Sequence, residues 1–121
     1  MRVLTFEVEL TEQSAERVVV SVTGDIDYHT CPMVTAVLDT LELSGRTLVL
    51  DLGRSTFLGT SALHVLLALR ARAIEEEWTL ELADVPHQGR RVLDLTGTRS
   101  LFTVGTSRRH GRREAGQVRG I

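Results

Sequence analysis

Apolar and polar positions divide the chain into alternating strand and helix patterns. Val3 to Leu10 alternates loosely and predicts a strand, and the β-branched run Arg17–Val22 predicts a stronger one. The turn-like Thr11–Ser14 between them makes the two a hairpin. Gly24–His29 (GDIDYH) reads as a loop, after which Thr30 caps a helix with Pro32 in its first turn, where a missing N–H removes no intrahelical bond. Val34, Val37, Leu38 and Leu41 keep helical spacing, and Ser44–Gly45 ends the helix. Thr47–Leu52 (TLVLDL) is almost continuously apolar, as in a central strand covered on at least one face.

Gly53–Gly59 reads as a loop, followed by a second helix capped by Thr60 or Ser61 and running to about Glu77. Trp78–Ala83 predicts a strand, with Trp78 packing its entrance. Gly89–Thr96 predicts a short helix closed by Gly97, and Leu101–Val104 an edge strand. The order β-β-α-β-α-β-α-β places the chain in the α/β class, with right-handed crossovers and largely parallel pairing beside one antiparallel hairpin. The expectation is one mixed sheet of about four or five strands, with three to four helices on one or both faces. Residues 1–105 form the domain, and 106–121 form a basic, disordered tail.

Charge sharpens that division. Residues 107–121 carry five arginines against Glu114 alone, a net of +4, while the preceding 106 residues carry nine arginines against fifteen acids, a net of −6. An acidic body argues against direct nucleic-acid binding, which needs a cationic face. The chain contains no lysine, which excludes a Walker-type phosphate loop, a Schiff base and a kinase-type strand lysine. Cys31 is the single cysteine, so an internal disulfide and a cysteine metal cluster are excluded. No apolar run approaches the ~18 residues of a membrane span, and the N-terminus lacks a signal-peptide pattern. These features fit a cytoplasmic protein, monomeric or weakly dimeric, with neither cofactor nor membrane contact.

The segment Phe57–Leu63 concentrates the candidate chemistry. It leads from the carboxyl end of a strand into a helix, the edge at which α/β folds read ligands and partners. Thr60 and Ser61 at the helix start are either simple caps or phosphoacceptors. A phosphate there would be tolerated by the helix N-terminus and would oppose a protein partner by charge and desolvation. The helix behind is apolar over Ala62–Leu69 and reads either as a well-buried helix or as a core face with a partner surface beside it.

Three segments resemble the STAS domain of the anti-sigma factor antagonist type. Gly24–Thr30 (GDIDYHT) is similar to that family's G-E-L-D-x-x-T segment. Val49–Leu52 followed by Phe57–Leu63 (FLGTSAL) is similar to its V-L-D-L and F-M-D-S-S-G-L stretches, and Arg91–Gly97 (RVLDLTG) to its late R-V-L-x-L-T-G helix. The resemblance spans about residues 3–105 in consistent order. It implies a non-enzymatic protein that regulates sigma-factor-dependent transcription by partner switching. The unphosphorylated protein binds an anti-sigma factor that is also a serine/threonine kinase, is phosphorylated and released, and is restored by a phosphatase. The resemblance places the acceptor at Thr60, with Ser61 as the second hydroxyl and Asp25 and Asp27 as the carboxylates near it; the partner surface expected around them is Asp25, Asp27, Leu58, Gly59, Thr60, Ser61 and His64. Gly59, Thr60 and Ala62 stand where the family has Asp, Ser and Gly.

The other reactive residues have ordinary readings beside functional ones. Asp51 ends the central strand as a receiver's phosphoaspartate does, yet the lysine such sites use is missing. His64 follows Thr60 by one helical turn and either contacts a partner or is simply exposed. His29, His64, His87 and His110 lack metal-ligand spacing. Cys31 is a semi-buried residue of the first helix or a reactive thiol. A scaffold or sensor module without phosphorylation and a small enzyme are the alternatives; no triad, carboxylate pair or cofactor loop supports the enzyme.

Overall fold

The computed structural model describes residues 6–105. It contains a five-stranded sheet in sequential order. β1 (Glu7–Gln13) and β2 (Arg17–Ile26) form the antiparallel hairpin, and β3 (Thr47–Leu58), β4 (Thr79–Ala83) and β5 (Thr103–Gly105) follow in parallel. The connections are α1 (Cys31–Leu38), α2 (Thr60–Glu76) and α3 (His87–Leu95), with one 3-10 turn at Arg99–Leu101. This is the mixed α/β sheet that the patterning predicts. The proposed tail at 106–121 lies outside the described residues, as does the start of the first predicted strand.

The sequential order decides where the helices go. The sheet advances one strand at a time in one direction, so three right-handed crossovers all land on the same face. Val18, Val20 and Val22 of β2, Leu48, Leu50 and Leu52 of β3, and Leu80 and Leu82 of β4 meet Val34 and Leu38 of α1, Leu63, Leu66 and Leu69 of α2, and Leu93 of α3 there. Each such large side chain contributes about 1.5–3 kcal/mol by leaving water. On the opposite face Val19, Val49 and Ala83 form a separate small cluster that includes no helical residue.

Several element boundaries differ from the sequence reading. β1 continues through Gln13, and the turn is tightened by Ser14, whose hydroxyl accepts from the Arg17 amide at 3.0 Å. α1 ends at Leu38, where the Thr40 hydroxyl donates to the Val37 carbonyl at 2.7 Å, although Leu41 still packs against the core. α3 begins at His87, two residues before the predicted Gly89, because Pro86 occupies its N-cap position. The largest differences concern β2 and β3. The expected loops at Gly24–His29 and Gly53–Gly59 are in large part strand, since Thr23–Ile26 and Arg54–Leu58 pair with each other.

Trp78 is buried just ahead of β4, as its position predicts. Its indole N–H donates to Glu76 at 3.0 Å, and the Arg72 guanidinium lies 5.7 Å from its ring centroid. Arg72 also reaches Asp39 at 3.2 Å, tying the ends of α1 and α2 together. The pairs are solvent-exposed and add little to the packing beneath them.

α3 is set against β3 by a close approach. A Cβ built on Gly89 would lie 2.2 Å from Leu58 Cδ1, 3.1 Å from Val85 Cγ1 and 3.3 Å from Leu58 Cγ, so two buried side chains would have to shift to admit it. Alanine is the better helix former, yet the overlap outweighs that preference. Gly89→Ala is expected to lower unfolding stability by about 1–3 kcal/mol, read as a reduced denaturant midpoint at unchanged slope.

Candidate functional site

The parallel pairing of β2 with β3 assembles the site. β4 accompanies β3 only as far as Asp51, opposite Ala83, whereas β2 continues to Leu58, opposite Ile26. Over this extension β3 uses two more residues than β2, with register shifts between Ser21 and Thr23 and between Gly24 and Asp25. Gly53 and Thr56 are the extra residues. Consequently Leu52, Ser55 and Leu58 turn inward at every third position, while Gly53–Arg54 and Thr56–Phe57 face out. Bulges of this kind commonly re-aim side chains beside functional sites.

The second bulge places Thr56 against Asp25, and the Thr56 hydroxyl donates to the Asp25 carboxylate. The exposed Asp25 stands opposite the half-exposed Phe57 in the register. Gly24 precedes it at φ +102°, a conformation that glycine adopts without steric cost. Asp27, just past the strand, is held differently. Its Oδ1 accepts from the backbone N–H of His29 at 2.9 Å and of Thr30 at 3.1 Å. These bonds, with that to Thr30 foremost, hold its carboxyl below the usual aspartate range. The Thr30 hydroxyl donates to the Asp25 carbonyl at 2.7 Å and accepts from the Asp27 N–H at 2.9 Å. Thr30 thus occupies the N-cap position of α1 without the predicted side-chain cap bond.

Neither Thr60 nor Ser61 caps α2. The N-cap residue is Gly59, which has no side chain to bond. Its N–H donates to the Ile26 carbonyl at 3.1 Å, fixing the helix start to the end of β2. Thr60 is therefore the first helical residue, exposed, and its hydroxyl makes no hydrogen bond among the described residues. Leu58, expected on the partner surface, is instead buried in the core because the third-position pattern turns it inward. Its main chain is held by Gln88: the side-chain Oε1 accepts from the Leu58 N–H at 2.8 Å, and Nε2 donates to the Leu58 carbonyl at 3.0 Å. Gln88 substitutes for the strand that β4 no longer provides. Thr56 and Gln88 have no signal in the sequence, because each bonds to a residue about thirty positions away.

Ser61 and His64 line a shallow groove between α1 and α2, together with Tyr28, Thr35, Asp39 and Val65. The groove continues along α2 past Ala68 and Leu69 to Arg72. Tyr28 is 78% exposed and meets His29 edge-on, with ring centroids 5.7 Å apart, so a large aromatic face borders the groove. Cys31 is buried at the groove floor, and burial, followed by the charge of Asp27, pushes its thiol above the usual cysteine range. That environment fits the packing role and opposes thiolate chemistry. Among the described residues, no group of three His, Cys, Asp or Glu side chains could hold a metal ion. No helix there is long and apolar enough to cross a membrane.

The lowered Asp27 value carries a sign. A carboxylate stabilised in the fold contributes stability above its unfolded pKa and loses it as pH falls through the folded value. Asp27→Asn, which keeps an acceptor and loses the charge, is expected to unfold at a lower temperature than the parent at neutral pH. The two thermal midpoints should converge in acid below the Asp27 titration. A constant gap across that range would contradict the assignment.

The arrangement has counterparts among known proteins. The profile of the Mlab STAS domain matches residues 10–103. The structure of an anti-sigma factor antagonist from Mycobacterium paratuberculosis superposes with a TM-score of 0.66 at 30% identity, covering 85% of this chain and 86% of that one. SpoIIAA, an anti-sigma factor antagonist solved in its unphosphorylated form, gives a TM-score of 0.68 at 18% identity, over 91% of this chain and 100% of that one. The phosphorylated form of SpoIIAA, described as a Bacillus cell fate determinant, gives 0.58 at 18% identity, over 86% and 94% of the two chains. No curated protein sequence matches. The extended β2–β3 pair, the helix start at Thr60 and the profile match over most of the chain together place this protein in the STAS domain family.

Proposed function

We propose that the protein is an anti-sigma factor antagonist that binds an anti-sigma factor kinase and is switched by phosphorylation at Thr60. The observation that carries this reading is the state of Thr60: an exposed first helical residue with an uncommitted hydroxyl, next to a glycine N-cap. A cap hydroxyl would be occupied by its own helix; this one is available to a kinase. The relatives named as anti-sigma factor antagonists, one of them solved in both phosphorylation states, support the same reading.

Electrostatics gives the switch its direction. A phosphate on Thr60 adds about −1.5 to −2 charge at the positive end of the α2 dipole, where the fold accommodates it. It also joins the carboxylates of Asp25 and Asp27, which the β2–β3 register brings to the same edge. A partner covering that edge must then desolvate a dianion beside two anions, so binding weakens while the domain stays folded. Ser61 is the weaker candidate acceptor, since it is half-buried in the groove wall. The partner surface is Asp25, Asp27, Gly59, Thr60, Ser61 and His64, with Tyr28 and Phe57 added as exposed aromatic contacts. A phosphatase restores the binding form.

The test pairs binding with mass measurement. With a co-purified anti-sigma kinase and ATP, the parent should gain one phosphate, and Thr60→Ala should gain none while binding as before. Thr60→Glu should lose about tenfold or more in affinity. If Thr60→Glu binds like the parent, the charge switch is wrong. If the parent binds and gains no phosphate, the protein is a scaffold or sensor module.

A further inference from the structure

We infer that the seam between α2 and α3, with the 3-10 turn that follows α3, is the docking surface for a second copy of this chain, related to the first by a two-fold axis. Two observations carry the assignment: the exposed apolar side chains gathered along the seam, and the opposite charges at its two ends.

Among the described residues seven large hydrophobic side chains are exposed, and three of them border this seam: Leu95 at 78%, Ile74 at 65% and Leu101 at 41%. Leu63 and Leu66 of α2 and Gly89, Val92 and Leu93 of α3 line one crevice beneath it, so the two helices are neighbours. Leu95 follows Gln88 by seven residues and shares its side of α3, the side that reaches Leu58 and the start of α2. Ile74 follows Arg70 by one turn of α2. The Arg70 Nε donates to the Leu101 carbonyl at 3.1 Å, which holds the 3-10 turn against the same flank. Exposed apolar side chains gathered in one place and rimmed by charge mark a protein contact.

The order of residues along the seam makes it complementary to itself. α2 and α3 both leave the carboxyl ends of parallel strands and run the same way, and Gln88 holds the start of α3 beside that of α2. At a helical rise of about 1.5 Å per residue, Arg91 lies about 6 Å from that edge, Leu95 about 12 Å, Arg70 with Leu101 about 15 Å, Ile74 about 21 Å and Glu75 about 22 Å. The seam thus reads cation, apolar, apolar, acid. A half-turn about an axis between Leu95 and Leu101 lays Arg91 of each copy on Glu75 of the other, with the Arg91 stem over Ile74. A patch that pairs with itself in this way is what an isologous contact requires. Neither charge is used within the monomer. Among the described residues the side chains of Arg91 and Glu75 form no ion pair or hydrogen bond, whereas Arg70, Arg72 and Arg99 are all engaged. Glu75 also stands in the last turn of α2, where the helix dipole favours a cation, so the helix gains nothing from it. Three apolar side chains with their rim bury less than ~1,200 Å² in total, the size of a weak, concentration-dependent dimer. The α1–α2 groove runs along the other flank of α2 and stays open.

Sedimentation of the full chain from about 10 μM to about 1 mM provides the test. The mean mass should climb from that of one chain toward that of two. Leu95→Asp should weaken self-association by about tenfold or more. Leu95 is exposed in the monomer, so the thermal midpoint of the dilute variant should match the parent's. Arg91→Glu makes the seam acidic at both ends, and Glu75→Arg makes it basic at both. Each variant alone should self-associate about tenfold more weakly, and an equal mixture of the two should dimerise as the parent does. Recovery in the mixture is a result that general loss of stability cannot produce. A parent that stays monomeric at every concentration overturns the proposal and leaves the seam to a protein of another kind. Self-association that Leu95→Asp and both charge variants leave intact places the contact elsewhere and overturns it as well. So does loss in both charge variants without recovery on mixing. Neither Thr60 nor a kinase enters these readouts, so their failure is separate from any failure of the switch.

Discussion

The parallel pairing of β2 with β3 is the constraint on which the rest of the molecule depends. It forms the centre of the sheet, supplies both layers of buried valine and leucine, and outlasts every other strand pair by running on to Ile26 and Leu58. That extension alone brings the Asp25–Asp27 segment beside the start of α2. The Gly59 amide bonded to the Ile26 carbonyl then fixes the helix to the strand end. Were β2 to stop at Val22, the candidate site would be two unrelated loops.

Past the end of β4, side chains take over the work of a ladder. Gln88 offers Leu58 one donor and one acceptor, as a neighbouring strand would, and buried main-chain groups need both. The close approach of Gly89 to Leu58 is part of the same contact. Through these two residues α3 grips the strand immediately before the candidate switch. The edge that presents Thr60 is thus braced from β2 on one side and from α3 on the other.

Local pattern carried much of this into the sequence. Arg17–Val22, Thr47–Leu52 and the α2 stripe follow the periods of strand and helix, and the order of elements dictated the sheet. What stayed hidden was the half of β3 that builds the site. Leu52, Ser55 and Leu58 recur at threes, a spacing that belongs to neither strand nor helix, and Gly53 inside the run resembles a breaker. The family likeness assigns Leu58 to the partner surface, whereas this spacing turns it into the core. Thr60 and Ser61 read as caps because their residue types favour it, but Gly59 took the cap position. Asp25 and Asp27 were found by family likeness, whereas their partners Thr56 and Thr30 emerge from tertiary and turn geometry.

The two bulges of β3 also act as slack in the chain. Side chains in a strand alternate faces, so an extra residue that was not absorbed would invert everything after it. Here each extra residue shares the outward face of its neighbour, Gly53 with Arg54 and Thr56 with Phe57, so Ser55 and Leu58 keep the inward sense of Leu52. Losing Gly53 or Thr56 alone would restore plain alternation at that point and leave Leu58, with its grip on α3, facing the core. The inward register is thus insulated from the count of residues between its members, and the freedom of this segment to change length lies at these two positions.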